Sequence, residues 1–184
     1  DIIGPATERA SYNVRDVMAQ YLAATLIAGA GITSDLGTDG TPLEINSANV
    51  WETLLLIGRK LDDAKVPREG RFVVLPPFMI EDLTIADVTL NTENSDALRD
   101  GLVARRAGFD ILVSHNVVNT SGAQYKVVAG TPLSATFAQQ LEKIEALRLE
   151  GSFSDAVRGL FVYGAKVTHP EALALATVNE AAEA

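Results

Sequence analysis

Residues 49–77 constrain the fold more than any other segment, because they predict an amphipathic helix joined by a short turn to a buried strand. Four aliphatic residues recur at the three- and four-residue spacing of one helical face: Val50, Leu54, Ile57 and Leu61. The helix must end before Pro67, since proline disfavours helical geometry in the residue that precedes it. The β-branched run 71–75 stops at two prolines, which is typical of a strand. A helix followed so closely by a strand predicts a fold that mixes α and β elements.

The start of this helix is marked by three candidate N-cap residues: Asn46, Ser47 and Asn49. Asparagine and serine side chains accept hydrogen bonds from the free N–H groups of a first helical turn. Glu52 lies three residues after Asn49, which is the spacing of a capping box. The sequence leaves the choice among the three open.

A longer helix is predicted near the start of the chain. From about residue 8, six apolar residues share one helical face: Val14, Val17, Met18, Tyr21, Leu22 and Leu26. Gly29 and Gly31 follow, and glycine ends helices readily because it adopts the left-handed conformation at little steric cost. Segment 34–42 then combines turn-forming residues with no periodic apolar face, so we expect a mobile surface loop there.

The rest of the chain alternates short elements. Four strands are predicted from β-branched and aromatic runs: 102–106, 109–114, 125–129 and 157–167. The first two flank Ala107 and Gly108 as a hairpin, and a short helix is predicted from Ser95 to Gly101. Segment 137–149 is ambiguous, and the local spacing of its apolar residues slightly favours a helix over a strand.

Composition excludes several classes of site. The formal net charge is −9 and the sequence pI is about 4.7, so we expect no sequence-specific nucleic acid binding through a uniformly basic surface. The 184 residues include no cysteine and two histidines, which excludes thiolate metal sites and histidine-rich clusters. The longest apolar stretch, 21–32, is shorter than the roughly 20 residues of a membrane-spanning helix, so no membrane partner is expected.

No catalytic, cofactor-binding or metal-binding residues are predicted. His115 follows a predicted strand and adjoins Ser114, but neighbouring strand residues point to opposite faces, so we interpret the pair as part of a polar turn. A small α/β hydrolase that uses Ser114 or His115 is the distant alternative. Two carboxylate pairs, at 62–63 and 81–82, lack the alternating ligands of a calcium loop and are interpreted as solvated helix faces.

Three stretches, taken in order, resemble the major capsid proteins of tailed bacteriophages of the Hong Kong 97 type. Residues 49–77 resemble the start of the family's axial domain. Residues 96–118 are similar to its short helix, its strand that begins Gly-Phe and its Ser-x-Asn turn, and residues 155–173 resemble a returning strand of the peripheral domain. The predicted N-terminal helix looks like the family's spine helix.

The resemblance implies an α+β fold of the Hong Kong 97 type. Residues 1–30 would form the peripheral-domain spine helix, 31–131 the axial domain, and 132–184 the peripheral-domain strands with the C-terminal tail. It also favours a strand at 141–149, paired through a turn at Gly151 with 157–167. The family's N-terminal arm and extended loop precede the spine helix and have no counterpart here. We therefore expect the open reading frame to extend upstream of Asp1, and no cross-linking residue is carried over.

The function implied by the resemblance is structural and not enzymatic. The chain would be a capsid subunit that self-assembles, through pentamers and hexamers, into the icosahedral shell of a phage genome. The partners would be further copies of itself, with scaffolding, portal and decoration proteins, and no cofactor. The implied location is the virion, with assembly in the bacterial host cytoplasm. The alternative is an encapsulin-like nanocompartment shell, which encloses cargo proteins.

Candidate subunit-interface residues lie in the predicted C-terminal hairpin. They are charged residues of both signs: Glu142, Lys143, Glu145, Arg148, Asp155 and Arg158. Such residues could register neighbouring subunits through ion pairs. Exposed ion pairs contribute only about 0–1 kcal/mol each, so a solvated strand face is the competing interpretation.

Overall fold

The computed structural model describes the backbone of residues 3–86, 102–106, 108–148 and 155–181, and the side chains of 9–86, 108–140 and 158–181. This part of the chain contains three helices, nine strands and two 3-10 turns. The helices are α1 Ile3–Gly29, α2 Val50–Asp63 and α3 Pro77–Ile85. The strands are β1 Leu43–Ile45, β2 Phe72–Leu75, β3 Leu102–Arg106, β4 Phe109–Val113, β5 Asn119–Thr120, β6 Gln124–Gly130, β7 Ala135–Arg148, β8 Asp155–Val167 and β9 Leu173–Glu180. The 3-10 turns are Pro132–Ser134 and Pro170–Ala172.

A seven-stranded sheet forms the centre of the molecule. Its strand order is β1-β9-β6-β2-β4-β3, with β5 paired to β6. The β1–β9 and β2–β4 pairs are parallel and the other pairs are antiparallel. The predicted stripe of α2 is buried in the core, where its four aliphatic side chains are at most 1% exposed. The helix–turn–strand prediction for 49–77 is confirmed.

The predicted capping box is wrong, because asparagines pair with each other before the helix. Asn46 Oδ1 accepts hydrogen bonds from the backbone N–H groups of Ala48 and Asn49, and Asn49 Oδ1 accepts one from the N–H of Asn46. Asn49 is the N-cap residue but makes no side-chain capping bond to the helix. Asparagine side chains compete locally for backbone donors, and here the turn at 46–49 takes them.

The sequence patterns did not predict β9 and gave no bounds for α3. β9 lies between β1 and β6, and Ala174, Ala176 and Val178 are at most 1% exposed. It belongs to the segment 132–184, which was expected to be peripheral, yet it pairs with β1 and β6 of the seven-stranded sheet. α3 begins at Pro77, which suits a first helical turn, where no intrahelical donor is needed. Asp82 is 8% exposed, which contradicts its interpretation as part of a solvated carboxylate pair.

The predictions for the remaining strands are largely confirmed. β3 and β4 form the expected antiparallel hairpin with Gly108 at φ +81°, and β6 covers the predicted strand 125–129. β7 and β8 pair antiparallel along their length as a separate two-stranded sheet, called the ribbon below. The helix favoured by local spacing at 137–149 is therefore wrong, and the strand implied by the resemblance is confirmed. The predicted helix at 95–101 and the turn at Gly151 lie outside the described residues.

The segment 34–42 is attached to the core. Leu36 is fully buried, and its carbonyl accepts a hydrogen bond from the N–H of Thr177 in β9. Lys60 contacts Asp35 at 2.5 Å, and Lys126 forms an ion pair with Asp39. The mobility of the segment stays a prediction, but the segment contains a buried apolar residue, Leu36, that no periodic pattern marks.

Candidate assembly surfaces

Helix α1 and the ribbon form one structural unit beside the seven-stranded sheet. Among the contacts of α1, those with β8 are the most extensive. The rings of Tyr21 and Tyr163 meet edge to face with centroids 5.2 Å apart. At the end of the helix, a Cβ on Gly29 would lie 2.4 Å from Val167 Cγ2, so only glycine allows this approach of helix and strand. The predicted helix is confirmed, with its end at Gly29.

The unit exposes large apolar side chains on two sides. On β8, Leu160 and Val162 are 53% and 51% exposed. They alternate with Phe161 and Tyr163, so they lie on the face of the ribbon that points away from Tyr163 and from α1. On α1, Tyr12 is 72% exposed and Val17, a member of the predicted apolar face, is 52% exposed. Leu160 and Val162 are neighbours on one face of β8, and adjacent exposed apolar side chains are candidates for protein–protein contact.

The charged candidates lie on the ribbon, where the register sets them opposite one another. Glu145 pairs with Arg158 across the two strands, and Arg148 pairs with Asp155. The register shifts between Leu141 and Lys143, which places Glu142 at an irregularity. Arg158 is exposed, whereas the side chains of the other five candidates lie outside the described residues. Opposite charges at facing positions of antiparallel strands attract, so these residues can stabilise the ribbon itself as well as an interface.

The two histidines are exposed in turns. Ser114 Oγ accepts a hydrogen bond from the backbone N–H of Asn116 at 3.1 Å, which closes the expected Ser-x-Asn turn around His115. His169 Nδ1 lies 3.1 Å from Glu171 Oε1, and a backbone hydrogen bond and this histidine lower the pKa of Glu171. The arrangement at 114–116 has the hydrogen bonding of a structural turn and does not favour a serine hydrolase.

A second connection of this turn was not anticipated from the sequence. Asn116 Nδ2 donates a hydrogen bond to Asp16 Oδ1 in α1 at 2.6 Å, although the two residues are 100 positions apart. Gln20 Nε2 donates to the other oxygen of Asp16 at 2.9 Å. A single polar contact between distant segments leaves no periodicity or motif in the sequence, so the Asp16–Asn116 contact could be found only in the structure.

An arginine cluster fixes the end of α2 to the start of β2. Arg71 is 4% exposed and donates hydrogen bonds to the carbonyls of Val66 and Pro67 and to Asp62 Oδ1. Arg68 donates to both carboxylate oxygens of Asp62 at 3.2 and 2.7 Å. The hydrogen bonds from Arg68 and Arg71 hold the pKa of Asp62 below its ordinary value of 3.8. The cluster connects the end of α2 to the start of β2. Both partners of the Asp62 carboxylate in it are arginines, so we interpret Asp62 as a structural residue.

Two further properties concern ligands and membranes. In the described part of the chain, no group of three or more histidine, aspartate or glutamate side chains is arranged to hold a metal ion. The described helices include none that is long and apolar enough to cross a membrane.

Comparison with known proteins identifies relatives of the chain. The model of a family described as phage capsid protein matches residues 1–176. A solved chain of Mycobacterium phage Che8 is 26% identical, with a TM-score of 0.72 over 92% of this chain and 61% of that one. The capsid of the cyanophage P-SCSP1u is 14% identical, with a TM-score of 0.68 over 98% and 67%. A virus-like particle from Pyrococcus furiosus is 16% identical, with a TM-score of 0.52 over 88% and 62%. No curated protein sequence matches the chain.

These likenesses confirm the expected α+β fold of the Hong Kong 97 type. The chain spans 61% of the Che8 phage chain, which is less than two thirds of that relative's length.

Proposed function

This chain belongs to the phage capsid protein family, and we propose that it is the major capsid subunit of a tailed phage, a structural protein that self-assembles into the shell around the genome. The observation that carries the proposal is the match of residues 1–176 to the model of the phage capsid protein family. The match of 92% of the chain to the Che8 phage chain at a TM-score of 0.72 supports it. A shell requires many copies of one subunit in repeated contacts, and the exposed apolar side chains of α1 and the ribbon are suited to such contacts.

The same proposal names the partners and the location. The chain would contact further copies of itself in pentamers and hexamers, and scaffolding, portal and decoration proteins would complete the particle. The protein would assemble in the bacterial host cytoplasm and remain in the virion. A chain with net charge −9 would also bind weakly to the phosphates of an enclosed genome.

The division of labour within the subunit is proposed as follows. Residues 31–131, together with β9, would gather around the local five-fold and six-fold axes as the axial domain. Helix α1 and the ribbon would act as the peripheral domain and contact neighbouring capsomers. The six charged ribbon residues would align those contacts. Support comes from the separation of the ribbon from the seven-stranded sheet and from the apolar side chains that it exposes.

The alternatives carry less support. The family model that matches residues 1–176 is that of a phage capsid protein, so an encapsulin-like nanocompartment shell is not favoured over a phage capsid. The hydrolase alternative rests on Ser114 and His115, which lie in the turn described above.

The test is to express the complete open reading frame and to examine the product by velocity sedimentation and negative-stain electron microscopy. We expect closed shells of uniform diameter from the wild-type protein. The double variant Leu160→Gln, Val162→Gln removes exposed apolar surface, so it should melt like the wild-type subunit but yield few shells. Thr136→Gln provides a control, because it alters an exposed position near the start of the ribbon. Wild-type protein that stays monomeric under all assembly conditions would contradict the proposal, as would shells that enclose a cargo enzyme.

A further inference from the structure

Helix α1 is attached to the seven-stranded sheet at its C-terminal end. Beyond the helix, the N–H of Gly31 donates to the carbonyl of Pro170 at 2.9 Å, and the N–H of Ile32 donates to the carbonyl of Leu173 at 3.1 Å. Ile32 also forms a parallel bridge with Ala174 of β9. Backbone hydrogen bonds to the 3-10 turn at Pro170 and to the first residues of β9 therefore fix this end of the helix.

A second polar attachment lies well along the helix. The bond from Asn116 Nδ2 to Asp16 Oδ1 reaches about thirteen residues before Gly29, which corresponds to about 20 Å along a helix that rises 1.5 Å per residue. Asn116 is itself held by the bond from its N–H to Ser114 Oγ, and the N–H of Ser114 donates to the carbonyl of Leu75 in β2. The second attachment therefore leads directly to a central strand of the sheet.

Two separated attachments determine the direction of a rigid rod. With the end near Gly29 fixed, a shift of about 2 Å at Asp16 would rotate the helix by about 6° at this lever arm of about 20 Å. The ribbon would rotate with it, because Tyr163 and Val167 of β8 contact Tyr21 and Gly29. A small shift at the Asp16–Asn116 pair would therefore produce a larger displacement at the far end of the ribbon, near Arg148 and Asp155.

We propose that the Asp16–Asn116 hydrogen bond sets the angle between the helix–ribbon unit and the seven-stranded sheet, and thereby the curvature at which subunits meet in the shell. The inference rests on the proposed function. In a closed shell the angle between neighbouring subunits determines the diameter. If the ribbon contacts neighbours, the angle between the helix–ribbon unit and the sheet within each subunit sets that angle between subunits. The Asp16–Asn116 pair would then be a positioning pair for assembly.

The bond is charge-assisted and part-buried. Its acceptor is a carboxylate, and Gln20 holds the second carboxylate oxygen, so the orientation of Asp16 is fixed on both sides. Loss of a hydrogen bond to a charged group shifts a two-state equilibrium by about tenfold or more. Replacing the amide by a carboxylate adds repulsion between like charges to that loss.

The test is a side-chain exchange in the complete protein. Asn116→Asp places two carboxylates at the contact, and we expect the fraction of shells with the wild-type diameter to fall about tenfold. The exchange variant Asp16→Asn, Asn116→Asp restores one amide and one carboxylate, so it should recover the wild-type diameter. His115→Asp adds the same charge to the neighbouring exposed residue of the turn and should leave the diameter unchanged.

The melting temperatures of unassembled variant and wild-type subunits distinguish this positioning role from a general loss of stability. Wild-type shell diameter in Asn116→Asp would overturn the inference. An equal diameter defect in the exchange variant would also overturn it, since the restored pair would then have no influence on the angle. If the wild-type protein forms no shell, the proposed function fails, whereas shells of unaltered size in Asn116→Asp refute only the positioning role.

Discussion

Arg71 shows, at the scale of single residues, how a buried charge is accommodated in this fold. Its guanidinium group donates to Asp62 and to the carbonyls of Val66, Pro67 and, at 3.4 Å, Gly58. Nearly every donor of the group therefore has an acceptor, which is the condition under which a charged side chain can be buried. The residue begins the predicted strand 71–75, but its burial is invisible in the sequence, because an arginine is exposed in most proteins.

We expect Arg71→Ala to lower the free energy of unfolding by about 2–3 kcal/mol, because it removes the donor to the buried carbonyl of Val66 and a charged partner of Asp62. Arg68→Ala is the matched control, since its side chain is 80% exposed and contacts the same carboxylate. It should cost much less stability, because an ion pair of an exposed side chain contributes little. Urea denaturation of unassembled subunits gives both free energies of unfolding. Equal losses in the two variants would contradict the larger stabilising role assigned to Arg71.

Asp62 should make stability depend on pH. The pKa of Asp62 is lowered in the folded chain by hydrogen bonds from Arg68 and Arg71, so the charged form favours folding. Its contribution is fully present above the ordinary value of 3.8 and is lost as the pH falls through the lowered folded-state pKa. Asp62→Asn should therefore be less stable than the wild type at pH 7, and the difference should shrink below pH 3.8. A difference that stays constant down to acid unfolding would contradict this.

Single residues also show where prediction from the sequence is incomplete. The capping box failed because Asn46 and Asn49 satisfy each other, and side-chain pairing of this kind depends on coordinates. The mobility of segment 34–42 stays a prediction, although Leu36 is fully buried at a position that no apolar period marks. Hydrogen exchange should now find the amide of Thr177, which bonds to Leu36, strongly protected.

The ribbon shows what decides structure at the scale of elements. Local spacing in 137–149 slightly favoured a helix, but the thirteen-residue β8 supplies backbone partners for nearly the whole of β7. Tertiary pairing overrides a weak local preference. The resemblance predicted this strand correctly. Neither spacing nor resemblance predicted β9, whose apolar run follows Pro170 and lies between β1 and β6.

Charge exchange on the ribbon can distinguish its two interpretations. Glu145→Arg sets an arginine opposite Arg158, and this like-charge pair should weaken the ribbon and reduce shell yield. The double variant Glu145→Arg, Arg158→Glu restores attraction within the ribbon but reverses both charges toward a neighbour. We expect subunit melting to recover in the double variant while shell yield, counted by electron microscopy, stays low. Recovered shell yield in the double variant would show that these charges act within the ribbon itself. Normal shell yield in the single variant would support the interpretation of a solvated strand face.

At the scale of the whole molecule, order along the chain carried more information than any one motif. Residues 49–77, 96–118 and 155–173 are individually weak signals, yet their sequence and spacing led to the α+β fold that the comparisons confirm. The angle between α1 and the sheet could not be inferred in this way, because it depends on contacts such as Asp16–Asn116 between distant segments. The sequence therefore predicted the order and type of most elements but not the angle between α1 and the seven-stranded sheet.

The account rests on the claim that the complete protein builds a closed shell through the unit formed by α1 and the ribbon. Cryo-electron microscopy of the particles formed by the complete open reading frame tests it most directly. We predict an icosahedral shell in which Leu160 and Val162 are covered by neighbouring subunits and the sheet containing β9 gathers around the five-fold and six-fold axes. Particles in which the ribbon and α1 face solvent on every side, with contacts made elsewhere, would contradict the account.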